Sequence, residues 1–150
     1  KGHEYYRTLA TSVPENCVIL TTSCGKFRFN DIDYGAVPGT NIPRYIDLGQ
    51  CNNSISAVKI AVALAEAFEC SVNELPLSIV LSWFEQKAVA ILLGLLSLGV
   101  KDIRIGARAP EFITPGVLNV LVENFGLKLI SDPEQDLKDM LGVAEKEALA

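Results

Sequence analysis

Short apolar runs rich in β-branched residues alternate along this chain with longer apolar stretches at helical spacing. The short runs predict buried strands, and the longer stretches predict helices. The predicted strands cover residues 17–22, 44–49, 77–82, 102–106 and 127–130. The predicted helices cover residues 1–12, 55–68, 88–98 and 115–125, and a last helix begins at residue 132. The order is therefore strand and helix in regular alternation after a first helix.

This alternation predicts an α/β fold, namely a Rossmann-like three-layer domain with a parallel sheet of about five strands and helices on both faces. We expect one domain over residues 1–142, and a frayed tail over residues 143–150. The composition fits such a domain, because 49% of the residues are hydrophobic and 21% are charged.

Charge and segment length exclude several classes of partner. The net charge is −5 and no basic cluster is present, so nucleic acid is not expected as a partner. The apolar run from Ala88 to Val100 is too short to span a bilayer, and no secretory signal is visible. The four cysteines form no C-x-x-C pair, which favours a reduced, cytoplasmic setting. The chain opens on Lys1 rather than Met, so we expect a larger polypeptide that continues upstream.

Three side chains with chemical potential follow the carboxyl ends of different predicted strands: Cys24, Cys51 and Glu85. Right-handed crossovers place all carboxyl ends of a parallel sheet at one edge, where open α/β sheets bind ligands. We therefore expect these residues to converge at one end of the sheet. Cys17 should lie at the other end, and both Cys17 and Cys70 are interpreted as structural residues.

Two thiolates and a carboxylate suit zinc, copper(I) or iron–sulfur chemistry. Three ligands are too few for a closed structural site, so the site either keeps open positions or takes ligands from elsewhere. Lys87 would supply a positive charge or a proton to a bound small molecule. The residues alone leave alternatives open, since the cysteines could form a disulfide or remain buried thiols, and Glu85 could simply start a helix.

Three segments carry a specific resemblance: residues 24–29 (CGKFRF), 49–52 (GQCN) and 77–87 (LSIVLSWFEQK). They resemble the hybrid cluster protein family, also called prismane protein or hydroxylamine reductase, which is related to carbon monoxide dehydrogenases. Residues 73–76 and 103–106 share the likeness, so it extends over nearly the whole chain. The segments correspond to the C-terminal domain of such an enzyme.

The resemblance implies a hybrid iron–sulfur–oxygen cluster with Cys24, Cys51 and Glu85 among its ligands. Lys87 would lie at the open side of the cluster and take part in proton supply. A second Fe–S cluster, bound elsewhere in the polypeptide, would pass on electrons from an external donor. The implied reaction is reduction of a small N–O compound, either hydroxylamine to ammonia or nitric oxide to nitrous oxide.

The family also implies ligands upstream of Lys1, so the isolated segment is expected to be inactive. His3, Cys17 and Cys70 match none of those motifs. Two other functions compete with the reductase: a Rossmann-like small-ligand or nucleotide-binding module without redox chemistry, and a scaffold domain with core cysteines. The absence of a G-x-G-x-x-G string after any predicted strand weakens the nucleotide-binding hypothesis.

Overall fold

A computed structural model describes residues 2–82, 85–106, 110 and 113–147. The strands are β1 (Ile19–Thr21), β2 (Tyr45–Asp47), β3 (Val80–Leu81), β4 (Arg104–Ile105) and β5 (Lys128–Leu129). The helices are α1 (Gly2–Ser12), α2 (Ser54–Ala67), α3 (Gln86–Ser97), α4 (Pro115–Phe125) and α5 (Pro133–Glu147). Short 3₁₀ turns cover Ser23–Arg28, Cys51–Asn53 and Val72–Glu74. The predicted order of strands and helices is confirmed, with strands shorter than expected.

Among the described residues the strands form two parallel sheets, so the prediction of a single sheet of about five strands is not confirmed. β1 pairs with β2, and β4 lies between β3 and β5. The strands are only two or three residues long, and the backbone ladder of β3 is formed with β4. Ile19 of β1 and Val80 of β3 instead pack against the same apolar cluster. In the described part of the chain, side-chain packing therefore replaces a ladder between the two sheets.

Helices cover both faces of the three-stranded sheet. Successive residues of a strand point to opposite faces, so each face packs against its own set of helices. On one face, the fully buried Ile103 and Ile105 pack with Leu92 and Leu96 of α3 and with residues of α4. The opposite face packs against α1 and α5. Its cluster contains Tyr5, Tyr6, Leu9, Ala10, Phe29, Ile130 and Met140. The three-layer arrangement is therefore present around this sheet.

Local sequence signals fix where two helices end. Gly99 follows α3 with φ +80°, and Gly126 follows α4 with φ +65°, a left-handed conformation that glycine adopts without strain. α5 continues through residues 143–147, part of the segment expected to be a frayed tail, and residues 148–150 lie outside the described residues. No helix within the described ranges is long and apolar enough to cross a bilayer.

A buried carboxylate on α5, that of Asp136, joins four parts of the fold. It accepts a 2.6 Å hydrogen bond from the hydroxyl of Tyr5 on α1 and 2.9 Å bonds from the backbone N–H and the hydroxyl of Ser131. Arg104 Nε of β4 lies 3.9 Å from the same carboxylate. Burial by itself raises the pKa of Asp136, but the hydrogen bonds and the arginine outweigh it and the net pKa is lowered. The carboxylate is therefore ionised in the folded state at neutral pH.

α2 is less buried than its sequence predicted. Its composition is apolar nearly all round, which predicts burial on more than one side, and the residues of this chain alone do not provide that burial. Ala65 is the only buried α2 residue, whereas the side chain of Leu64 is 45% exposed and Phe68, just beyond the helix, is 72% exposed. The helix packs mainly against the 3₁₀ turns on either side of it, Cys51–Asn53 and Val72–Glu74, so these described residues leave much of its apolar surface uncovered.

Leu92→Ala should lower the free energy of unfolding of the isolated chain by about 2–5 kcal/mol, because this leucine is 3% exposed and its removal leaves a cavity. Leu64→Ala is the matched control and should cost less than about 1 kcal/mol. Urea unfolding measured by circular dichroism tests both. Equal losses for the two variants would contradict the assignment of α3 as the central helix.

Asp136→Asn should reduce the dependence of stability on acidic pH. The pKa of Asp136 is lowered on folding, so its carboxylate stabilises the fold above its unfolded pKa of about 4, and this contribution is lost as the pH falls through the folded value. The wild-type chain should therefore lose more stability between pH 7 and acidic pH than the variant. Urea unfolding across this range measures the difference, and parallel curves would contradict the prediction.

Candidate functional site

Two cysteine-bearing turns lie next to each other at the carboxyl ends of β1 and β2. Cys24 belongs to the 3₁₀ turn directly after β1, and Cys51 begins the 3₁₀ turn after β2. The backbone N–H of Ser23 donates a 2.8 Å hydrogen bond to the carbonyl of Gly49, and that of Leu48 donates at 2.9 Å to Thr21. The parallel pairing of the two strands thus continues into the turns that carry both thiols.

Gly49 fixes the shape of the turn before Cys51. Its φ is +99°, and a Cβ added there would lie 2.5 Å from Asn53 Nδ2. That amide is engaged, since it donates a 2.9 Å hydrogen bond to the carbonyl of Leu48. Both the backbone conformation and the close amide therefore require glycine at this position.

An ion pair also joins the turn of Cys24 to Asp47, the last residue of β2, shortly before the turn of Cys51. Lys26 Nζ lies 3.0 Å from Asp47 Oδ2 and 3.3 Å from Oδ1, and Oδ1 accepts a 2.7 Å hydrogen bond from the backbone N–H of Gly49. The Gly49 N–H and then Lys26 lower the pKa of Asp47. The hydroxyl of Tyr45 donates a 3.1 Å hydrogen bond to the Lys26 carbonyl. This part of the site is therefore held by several directional contacts.

The end of β3 lies against the turn that contains Cys24. A Cβ added at Gly25 would be 3.4 Å from Ser82 Oγ, and Arg28 Nη2 donates to the carbonyl of Ser82 at 3.4 Å. Ser82 directly follows β3 and precedes Glu85 by three residues. Residues 83 and 84, which belong to the sequence motif, lie outside the described residues. The structure thus brings the segment leading to Glu85 to the turn of Cys24.

Glu85 and Lys87 occupy the start of α3, and both are exposed. Glu85 is the residue before the helix, and its carbonyl accepts from the N–H of Val89 at 3.0 Å. Its carboxylate makes no capping hydrogen bond. No ion pair within 4.0 Å joins these two described residues. Glu85 thus stands at the start of the helix without capping it through its side chain, and the residue is exposed.

All four cysteines are free thiols. Cys24 is exposed, while Cys51, Cys17 and Cys70 are half-buried, so the last two are less buried than expected. Cys17 lies before β1, where its N–H bonds the carbonyl of Pro14, at the end opposite Cys24. Within the described ranges, no three His, Cys, Asp or Glu side chains are close enough together to hold a metal ion. The metal-ligand role of Cys24, Cys51 and Glu85 stays a prediction.

The sequence interpretation missed Lys26 and Asp47 as site residues. A signal for Asp47 was present, because an aspartate two residues before a glycine often accepts a hydrogen bond from that glycine's N–H and forms a turn. No comparable local signal identifies Lys26. Its partner, Asp47, ends β2, 21 residues further along the chain, and the pairing becomes visible only in the fold.

A cleft at the amino ends of β3 and β4 lies away from these turns. Its lining includes the cations Lys101, Arg104 and Lys128 and the carboxylates of Asp102 and Asp139. Lys128 Nζ lies 3.3 Å from Asp102 Oδ1, and Arg104 faces Asp136. The charges are largely balanced, so the cleft offers no selective attraction for an anion or a cation.

The sequence profile of the Prismane/CO dehydrogenase family matches residues 1–138 of this chain. The chain therefore belongs to this family. It is 62% identical over 141 residues to a hydroxylamine reductase from Moorella thermoacetica, covering 94% of this chain and 33% of the relative. It is 61% identical to a hydroxylamine reductase from Methanocella arvoryzae, covering 94% of this chain and 26% of that relative. The chain thus spans about a quarter to a third of the relatives that it matches.

Solved structures show the same fold at low sequence identity. A nickel-free carbon monoxide dehydrogenase from Thermococcus sp. AM4 superposes with a TM-score of 0.72 at 20% identity, covering 97% of this chain and 26% of that one. Carbon monoxide dehydrogenase IV from Carboxydothermus hydrogenoformans gives a TM-score of 0.75 at 15% identity, covering 98% of this chain and 28% of that one. The arrangement of strands and helices described above is thus shared with parts of larger proteins.

Proposed function

We propose that this chain is part of an iron–sulfur oxidoreductase that reduces small N–O compounds at a hybrid iron–sulfur–oxygen cluster. The observation that carries the proposal is the meeting of the Cys24 and Cys51 turns, with the end of β3 lying against the first of them. The names of the relatives, hydroxylamine reductases, support this reaction class. The substrate would be hydroxylamine, reduced to ammonia, or nitric oxide, reduced to nitrous oxide.

The donor set fits such a cluster. Cys24 and Cys51 offer thiolates, which bind iron in iron–sulfur clusters, and Glu85 adds a harder oxygen donor. Because Cys24 is exposed and the Glu85 carboxylate makes no capping hydrogen bond, both are accessible to a group that lies outside this chain. The remaining ligands would come from the rest of the polypeptide, so the isolated segment would be inactive. The cluster would supply electrons to the bound substrate.

Lys87 is proposed to orient the N–O compound and to deliver a proton. Reduction of an N–O bond makes the oxygen basic, so a positioned ammonium group lowers the barrier to its protonation. Lys87 is exposed in the first turn of α3, two residues after Glu85, and so lies close to one of the proposed ligands. An external electron donor and a cytoplasmic location stay predictions.

Iron and acid-labile sulfide analysis of the complete polypeptide, purified without oxygen, tests the proposal directly. We expect both elements to be bound in stoichiometric amounts, together with turnover of hydroxylamine or nitric oxide. A complete polypeptide that binds neither iron nor sulfide would support the ligand-binding module or the scaffold instead.

Glu85→Ala and Lys87→Ala should separate the two proposed roles. Glu85→Ala removes a ligand, so we expect altered iron content or cluster spectra and lost activity. Lys87→Ala should leave iron content and spectra nearly intact and lower the catalytic rate by about 10²–10⁴-fold, the usual contribution of positioned proton transfer. Full turnover by the Lys87 variant would contradict the proton-donor role, and loss of its cluster would indicate a structural role.

We further propose that the rest of the polypeptide covers the exposed side of α2. Leu64 and Phe68, four residues apart and therefore on one side of the helix, are 45% and 72% exposed, and the relatives are about three to four times longer than this chain. Exposed apolar surface of this kind marks an interaction site. The proposed occupant is another part of the same polypeptide rather than a second protein.

Phe68→Ala in the complete polypeptide should cost about 3–5 kcal/mol of stability, as for a buried aromatic residue. In the isolated chain the same substitution should cost little, because Phe68 is exposed there. Lys59→Ala, on the polar side of α2, is the matched control and should have little effect in either form. Chemical denaturation of both forms measures the difference, and an equally small effect of Phe68→Ala in both would show that α2 stays uncovered.

A further inference from the structure

We infer that Lys26 and Asp47 form a positioning pair that sets the distance between the turns of Cys24 and Cys51. This inference rests on the proposed function, because it assigns a role toward the cluster that the two cysteines would hold. It assigns different roles to Lys26, which lies in the 3₁₀ turn of Cys24, and to Lys87, which lies in the first turn of α3.

The pair closes a ring of contacts around the two cysteine-bearing turns. Lys26 Nζ contacts both oxygens of Asp47, at 3.0 and 3.3 Å. The same carboxylate accepts from the N–H of Gly49, and the carbonyl of Gly49 accepts from the N–H of Ser23. Ser23 immediately precedes Cys24, so the ring returns to the turn from which it started. Displacing any member shifts one cysteine relative to the other.

Lys26 is held more firmly than a typical surface lysine. Its side chain is only 15% exposed, against 42% for Asp47, and its carbonyl is fixed by the hydroxyl of Tyr45. Its ammonium group also lies 5.6 Å from the centre of the Phe27 ring. A lysine with a mostly covered stem loses less entropy on pairing than a fully exposed one. The ammonium group is therefore directed to Asp47.

The test compares Lys26→Met, Asp47→Asn and the double variant in the complete polypeptide, with Lys26→Arg as the conservative change. Lys59→Met is the matched control, because it removes an exposed lysine for which the described residues show no ion pair. Hydrogen exchange is followed by mass spectrometry in peptides that cover residues 22–28 and 45–51. Iron content, cluster spectra and the midpoint reduction potential are measured on the same preparations.

Both single variants should speed exchange in both peptides by about two- to fivefold, as expected for loss of one partly covered ion pair. The double variant should exchange no faster than either single variant, because the two residues act as one unit. Lys26→Arg should restore slow exchange, and Lys59→Met should match the wild type. Both single variants should also alter the cluster spectra in the same way.

The charge changes distinguish positioning from a purely electrostatic effect. Lys26→Met lowers the net charge by one and Asp47→Asn raises it by one, so a purely electrostatic role would shift the reduction potential in opposite directions. Opposite shifts with unchanged exchange would overturn the inference, as would wild-type exchange in Lys26→Met. A wild-type polypeptide without iron would refute the proposed function instead, while the exchange data would still report on the pair.

Discussion

The carboxylate of Asp136 is the contact on which the three-stranded half of the fold depends. It binds Tyr5 of the first helix and Ser131 before the last helix, and it faces Arg104 on the central strand. A charge that is 4% exposed, such as Arg104, is tolerated only when an opposite charge compensates it. Because Nε of Arg104 forms no hydrogen bond with the described residues, the attraction to Asp136 is its main compensation. The first and last helices are thereby fixed on one face of the sheet.

This arrangement also places the candidate site. The cluster around Tyr5 and Tyr6 includes Ile19 of β1 and Val80 of β3, so the helices α1 and α5 serve as a common support for both sheets. Arg28 continues the connection, since its guanidinium lies 4.7 Å from the centre of the Tyr6 ring and reaches the carbonyl of Ser82. Side-chain packing thus aligns the carboxyl ends of the strands in the two sheets. Within the described residues, no continuous backbone ladder joins these sheets.

Much of the fold could be predicted because its signals are local. Runs of β-branched residues predicted the strands. The helix ends predicted at residues 98 and 125 are confirmed to within about one residue, and glycines with positive φ follow both. The division into two sheets could not be predicted, since it depends on which distant backbone groups pair. The exposure of Leu64 could not be predicted either. An apolar helix surface indicates that another segment covers it, but it does not indicate whether that segment belongs to this chain.

The candidate site could likewise be predicted only in part. The positions of Cys24, Cys51 and Glu85 after three strands follow from strand order, whereas the Lys26–Asp47 contact joins residues from different segments and could be seen only in the fold.

The Lys26–Asp47 contact also bears on which lysine is suited to chemistry. A lysine that already neutralises a carboxylate gains little by approaching a newly formed negative charge, and it would lose its existing partner by moving. Lys87 has no such ion pair among the described residues and is exposed, so no carboxylate of those residues neutralises its charge. Under the proposed function, the holding of the donors and the handling of protons would therefore fall to different side chains.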